Sequence, residues 1–150
     1  MTSAEPGHHL TATPLAGYDL PEQVRLGISE AGFIFATPIQ ARTLPISLAG
    51  RDVAGQAQTG TGKTAAFLIT IFTRLLRQPH PRPGRGPRAL VVAPTRELVL
   101  QIRDDAERLG RHTGLKTLAV FGGMDYRRQR DALREGPDLL VGTPGRLIDY

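Results

Sequence analysis

The 150-residue chain has no cysteine and no tryptophan, and only three tyrosines and five phenylalanines. Without thiols, these residues can form no disulfide framework and no thiolate metal site, and thiol redox chemistry is excluded. That composition suits a reducing compartment, and a cytoplasmic location is the expectation. No apolar run approaches the roughly 20 residues that a membrane-spanning helix needs, and Met1 to Gly17 lacks the apolar core of a signal peptide. No membrane role is expected. Acids are the minority. The 14 Asp and Glu face 19 Lys and Arg, and the net charge of +5 favours polyanions such as nucleic acid or nucleotides. The length fits one ordinary domain with a full core.

Glycine, by contrast, is plentiful, and its most telling placement is Ala57-Gln58-Thr59-Gly60-Thr61-Gly62-Lys63-Thr64. A short apolar stretch, Asp52 to Gln56, precedes it as a predicted strand, and Ala65 to Ile69 continues as a predicted helix. Phosphates need several donors converging from one side with no side chains in the way. Gly60 and Gly62 allow that approach, because glycine tolerates positive φ and bares backbone N–H groups, while the helix opening near Gly62 points its positive end at the anion. Lys63 is expected to reach the β- and γ-phosphates and Thr64 to ligate Mg²⁺. The pattern is the G-x-x-x-x-G-K-[ST] loop with Ala57 at the first glycine position.

Met1 to Gly17 is rich in Pro, Gly, Thr and His without periodicity and is expected to be a flexible arm, His8-His9 included. Pro21 fits the first turn of a helix carrying Val24, Ile28 and Ala31 that Gly32 can end. Thr37 is a natural N-cap and Pro38 a natural first residue for a helix through Leu48, with Gln40 in its first turn. A glutamine amide can accept from adenine N6–H₂ and donate to N7; on chemistry alone, a solvated glutamine is the expectation there. Beyond a helix to about Arg77, Gln78 to Arg88 is too dense in Pro and Gly for regular structure. It reads as an exposed basic connector in which Arg82, Arg85 and Arg88 offer themselves to RNA.

Ala89 to Ala93 reads as a strand buried on both faces of a parallel sheet. A helix follows with Leu98, Ile102, Ala106 and Leu109 inward, closed by Gly110 or Gly114. Leu115 to Phe121 and Asp138 to Val141 are further strands. The polar segment Asp125 to Glu135 between them is predicted as a surface helix with Tyr126, Ala132 and Leu133 as its sizeable inward residues. Strands alternating with helices define an α/β fold with a parallel sheet, whose ligands gather beyond the carboxyl ends of the strands. Pro94-Thr95-Arg96-Glu97, Gly122-Gly123 and Thr143-Pro144-Gly145-Arg146 stand at three such ends. Their hydroxyls, bare backbone and arginine forks suit a sugar-phosphate chain, read with little regard to base sequence. No aromatic stacking platform is evident.

Together, Gly32-Phe33 with Thr37 to Gln40, Ala57 to Thr64, Pro94 to Leu98, Gly122-Gly123 and Thr143 to Arg146 resemble the ordered motifs of the DEAD-box ATP-dependent RNA helicases. The resemblance covers about Asp19 to Tyr150. It implies a RecA-like P-loop domain, in part, in which Gln40 reads adenine, Lys63 and Thr64 hold phosphate and Mg²⁺, and the Pro94, Gly122 and Thr143 segments grip single-stranded or structured RNA. The family usually has proline at Ala36 and an upstream aromatic near Leu15; Tyr18 is the candidate substitute for stacking adenine. Leu48 to Gln56 and Gly145 to Tyr150 further resemble the branch associated with RNA-degradation complexes, which implies a degradosome-like ribonuclease as partner. Residues 1–150 hold no Asp-Glu-Ala-Asp box, no Ser-Ala-Thr motif and no second RecA-like domain, so this stretch is expected to be inactive alone. A DNA helicase or translocase and a non-catalytic RNA-binding module are the alternative readings.

Overall fold

Leu139–Gly142 is the strand buried at every position, and a parallel sheet is built on both of its edges. The computed structural model describes residues 10–79 and 86–150, so Met1 to His9 and His80 to Arg85, with His8, His9, Arg82 and Arg85, lie outside the described residues. The chain first forms a short 3-10 turn, Leu15–Gly17, then helices α1 (Glu22–Glu30), α2 (Pro38–Leu48) and α3 (Lys63–Arg77). From there strands and helices alternate: β1 (Ala89–Val92), α4 (Arg96–Leu109), β2 (Thr117–Val120), α5 (Tyr126–Arg134), β3 (Leu139–Gly142) and α6 (Pro144–Asp149). Spatial order is β1-β3-β2, with Ala89 and Thr117 both opposite Leu139. Helices carry the chain back between parallel strands, so all three carboxyl ends lie together.

The core lies where α3 and α4 meet the sheet. Leu68, Ile69 and Phe72 of α3 join Val99, Ile102, Ala106 and Leu109 of α4, Val24 and Ile28 of α1, and Leu139 and Val141 of β3 in one cluster. In α4 the fully buried stripe begins at Val99, not at the expected Leu98, which is half-buried; both fit the helical period with 102, 106 and 109, and packing selects 99. Gly27 explains itself here. A Cβ on it would lie 1.9 Å from the backbone oxygen of Leu109, so only glycine lets α1 and α4 approach this closely.

Several expectations need correction. Asp52 to Gln56 is not a strand: the segment is irregular and exposed, and among the described residues no strand pairs with it, so its backbone stays open to water. Ala89 to Val92 is a strand, but not one buried on both faces. Leu90 and Val92 are 57% and 55% exposed, because among the described residues nothing covers that face of β1 and only the Ala89 and Val91 face is packed. Residues 10–17 are not a free arm. The backbone of Thr11, Thr13 and Leu15 bonds to Ile34 and Ala36, and Leu15 is fully buried, because an apolar side chain in that strap can complete the core. Arg88 is not presented to a ligand either. Its guanidinium donates to the carbonyls of Leu75 and Gln78 and pairs with Asp138 at 3.4 Å, tying the end of α3 to the start of β3.

Candidate nucleotide site and nucleic-acid interface

Thr37 and Gln40 form a capping box at the start of α2. The Thr37 N–H donates to Gln40 Oε1 at 2.9 Å, and the Thr37 hydroxyl accepts from the Gln40 N–H at 3.5 Å. Gln40 is fully buried, not solvated as its residue type suggested, because its side chain also reaches across to the phosphate loop: Nε2 donates to the carbonyl of Gly62 at 3.1 Å. An amide offers two N–H groups and two lone pairs. These bonds leave one of each.

The loop from Ala57 to Gly62 is exposed or half-buried and takes the conformation its glycines permit. Gly60 and Gly62 have φ of 79° and 88°, in the left-handed region that side chains rarely enter. Gly62 is fixed twice over, since a Cβ there would stand 2.5 Å from Gln40 Nε2. It is also the N-cap of α3, whose first turn, including Lys63 and Thr64, leaves backbone N–H groups without intrahelical partners. Within the loop the Thr61 hydroxyl donates to the Gln58 carbonyl at 2.7 Å, and Lys63 Nζ folds back on the carbonyl of Ala57. Thr59 stays exposed at the tip, and Thr64 is half-buried at the helix start. A nitrogen turned on its own loop carbonyl is the arrangement an anion can displace, because a phosphate oxygen is the stronger acceptor for an ammonium group. The residues fit a nucleoside triphosphate. For Mg²⁺ they offer the Thr64 hydroxyl, and no cluster of three acidic, His or Cys side chains occurs among the described residues.

Leu15, which stands where the family usually has an aromatic, and Tyr18, the candidate substitute, both pack against the core. Leu15 is core, and Tyr18 is half-buried against that same core, where burial pushes its hydroxyl pKa up.

At the carboxyl ends of the strands, the three sequence segments come together. Thr95 caps α4, its hydroxyl accepting from the Leu98 N–H at 3.2 Å, while Pro94, Arg96 and Glu97 remain exposed. The Arg96 guanidinium lies over the Phe121 ring, 4.9 Å from its centroid. Gly123, with φ of 84°, lies beside it, where a Cβ would make ordinary contact with that guanidinium at 3.8 Å. Gly122 and Gly123 are exposed. Thr143 begins α6 through its backbone alone; no side-chain cap bond forms, and Pro144 and Gly145 beside it are exposed. Arg146 donates to the carbonyl of Met124 at 3.3 Å and stands 5.4 Å and 5.9 Å from the ring centroids of Tyr126 and Tyr150. The two tyrosine rings are 4.9 Å apart. An aromatic pair therefore stands beside Arg146, where the sequence showed no aromatic platform, because residues 24 positions apart meet only once α5 and α6 are folded. No hydrogen bond among the described residues joins this cluster to the phosphate loop.

Gln129 was missed. Of the polar segment Tyr126 to Arg134, it alone is buried, whereas Tyr126 is 41% exposed and Ala132 and Leu133 are half-buried. The signal was present: an uncharged side chain among Arg127, Arg128, Arg130 and Asp131, three residues on from Tyr126 and three before Ala132, on the helix face turned to the sheet.

A glycine loop opening a buried helix, beside a parallel sheet with polar turns at its carboxyl ends, defines a P-loop α/β domain of partial RecA-like form. A family model described as DEAD/DEAH box helicase matches residues 37–150, and the chain belongs to that family. It is 53% identical over 144 residues to the ATP-dependent RNA helicase RhlB of Shewanella pealeana, a match covering 95% of this chain and 33% of that protein. It is 52% identical over 143 residues to the proteins of the same name from Idiomarina loihiensis and Xanthomonas oryzae, covering 34% and 25% of them. The chain thus spans between a quarter and about a third of the length of these curated relatives.

Proposed function

We propose that this chain is the nucleotide- and RNA-binding part of an ATP-dependent RNA helicase. The observation that carries the reading is the Gln40 latch. A fully buried amide bonded to Gly62 ties the start of α2 to the glycine loop, and its remaining N–H and lone pair would read adenine once a nucleotide seats beside them. Gly60, Gly62 and the first turn of α3 would receive the phosphates, Lys63 would turn from Ala57 to the β- and γ-oxygens, and Thr64 would hold Mg²⁺. When bound, ATP with Mg²⁺ would supply the terminal phosphoryl group for transfer to water, and in the full-length protein that hydrolysis would gate closure of two domains on RNA and local strand separation.

Exposed Pro94, Thr95, Arg96 and Glu97, the bare Gly122-Gly123 turn and Thr143 to Arg146 would follow the RNA backbone. Contacts of this kind bind single-stranded RNA largely without regard to sequence. Membership of an RNA-degradation complex in the cytoplasm is supported by the stretches Leu48 to Gln56 and Gly145 to Tyr150, and by the similarity to proteins named RhlB. Pull-down from lysate with the Lys63→Ala variant in parallel, scored for a ribonuclease, tests that point.

The test of the function itself is phosphate release by the full-length protein with single-stranded RNA, single-stranded DNA or no nucleic acid. Stimulation by RNA alone that disappears in Lys63→Ala is the expected result. Equal stimulation by DNA would make it a translocase of broader range, and tight RNA binding without turnover would make it a binding module.

A further inference from the structure

Gln129 is 5% exposed, yet it sits in a helix whose other polar side chains face water. Its Nε2 donates to the carbonyl of Phe121 at 3.3 Å, immediately before Gly122. Its Oε1 accepts from Arg146 at 3.5 Å and from the Tyr150 hydroxyl at 3.4 Å. One side chain therefore touches the turn after β2 and the helix after β3. These bonds are long, and their force lies in their convergence on one buried group: a polar amide is kept out of water only when its partners are fixed.

We propose that Gln129 is a positioning residue for RNA engagement, which holds the Arg146 guanidinium in register with the Gly122-Gly123 turn so that both meet one sugar-phosphate backbone. The inference rests on the proposed RNA-facing role of Arg146. Arg146 carries several donors in a rigid fork. The Gln129 and Met124 acceptors engage two of its nitrogens, Nη1 and Nη2, and fix the plane of the fork while N–H groups remain for a phosphate. Without Gln129, Arg146 would keep its charge and its stack on Tyr126 but lose the second point that defines its orientation. Phosphate binding depends on that orientation, since a fork must meet two oxygens at once. The bond to the Phe121 carbonyl anchors the amide itself, beside the ring that the Arg96 guanidinium covers. Arg96, Phe121, Gln129 and Arg146 thus form one continuous chain of contacts across all three strand ends.

The experiment is a double-mutant cycle in the full-length protein, reading the affinity for a fluorescently labelled oligouridine across a salt series, the affinity for an ATP analogue without RNA, and thermal melting. Arg146→Ala is expected to weaken RNA about tenfold and to flatten the salt dependence by about one contact. Gln129→Met keeps the side-chain volume without the polar atoms. It is expected to weaken RNA nearly as much and to flatten the salt slope likewise, with ATP-analogue affinity unchanged; the double variant should bind no more weakly than Arg146→Ala alone. Gln129→Asn, one methylene too short to span Phe121 and Arg146, should behave the same way and carries the test if the Met variant does not fold. Wild-type RNA affinity in the Gln129 variants while Arg146→Ala is weakened, or losses that add in the double variant, would overturn the proposal alone. Wild-type RNA affinity in Arg146→Ala would remove the reading beneath it, and the proposal with it.

Discussion

Truncating Gln40 to alanine would strand two groups at once, the buried Thr37 N–H and the half-buried Gly62 carbonyl. Each buried polar group left without a partner costs about 1–3 kcal/mol, so the variant should melt measurably lower even without nucleotide. It should also weaken ATP more than GTP, because only adenine matches both ends of the amide; equal losses would assign Gln40 to the latch alone. Lys63→Ala makes the opposite prediction. Lys63 is half-buried and its recorded bond is to a loop carbonyl, so stability should change by no more than about 0.5 kcal/mol while triphosphate affinity, read by titration with a fluorescent analogue, falls at least about tenfold. A lost circular dichroism signal would instead make Lys63 structural. At this scale the sequence was legible wherever chemistry is local. The glycines at 60 and 62 take the left-handed φ that their residue type allows, and a helix opens at Lys63, as the local sequence leads one to expect. Gln40 did not declare its burial, because that depends on Gly62, 22 residues away.

Three threonines precede helices in similar local sequence, and the structure separates them. Thr37 and Thr95 cap with their side chains, whereas Thr143 does not. Replacing a capping threonine by alanine costs about 1 kcal/mol. Chemical denaturation of the full-length protein should therefore show that loss, or more, in Thr37→Ala, which is also buried, and a comparable loss in Thr95→Ala. Thr143→Ala should leave stability nearly unchanged while weakening RNA, since its hydroxyl remains available. A stability loss in Thr143→Ala equal to that in Thr95→Ala would show that the hydroxyl caps α6 in solution. Helix existence was readable throughout, because caps, Pro at the first position and the 3.6 period act within a dozen residues. What escaped was which face of α5 turns inward. Its sequence from Tyr126 to Arg134 is too polar to show a stripe, and the sheet chose Gln129.

The sheet was legible in three of its four expected strands, since Ala89 to Val92, Thr117 to Val120 and Leu139 to Gly142 are apolar, β-branched or small and bounded by turn residues. Asp52 to Gln56 failed because strand formation is decided by a neighbour rather than by the segment itself. The same distinction between local chemistry and assembled structure governs activity. Phosphoryl transfer at a P-loop needs an acid holding Mg²⁺ together with the loop threonine, a group that orients the attacking water, and a cation for the transition state. Among the described residues the acids are otherwise engaged or badly placed. Asp138 lies at the amino end of β3, paired with Arg88 and accepting from the Lys116 N–H. Asp125 caps α5 by accepting from the Arg127 and Arg128 N–H groups. Glu97 is exposed in the first turn of α4, on the face assigned to RNA, and Asp52 is exposed at the start of the irregular segment, five residues before the loop begins. A polypeptide of residues 1–150 is therefore expected to bind an ATP analogue and to release no phosphate, with or without RNA. A transition-state cation alone can be worth about 10³ to 10⁵ in rate. Phosphate release measured beside Lys63→Ala as the contamination control, on material shown to be folded by circular dichroism, decides the matter: RNA-stimulated turnover that vanishes in Lys63→Ala would mean that one of these four acids reaches the metal after all.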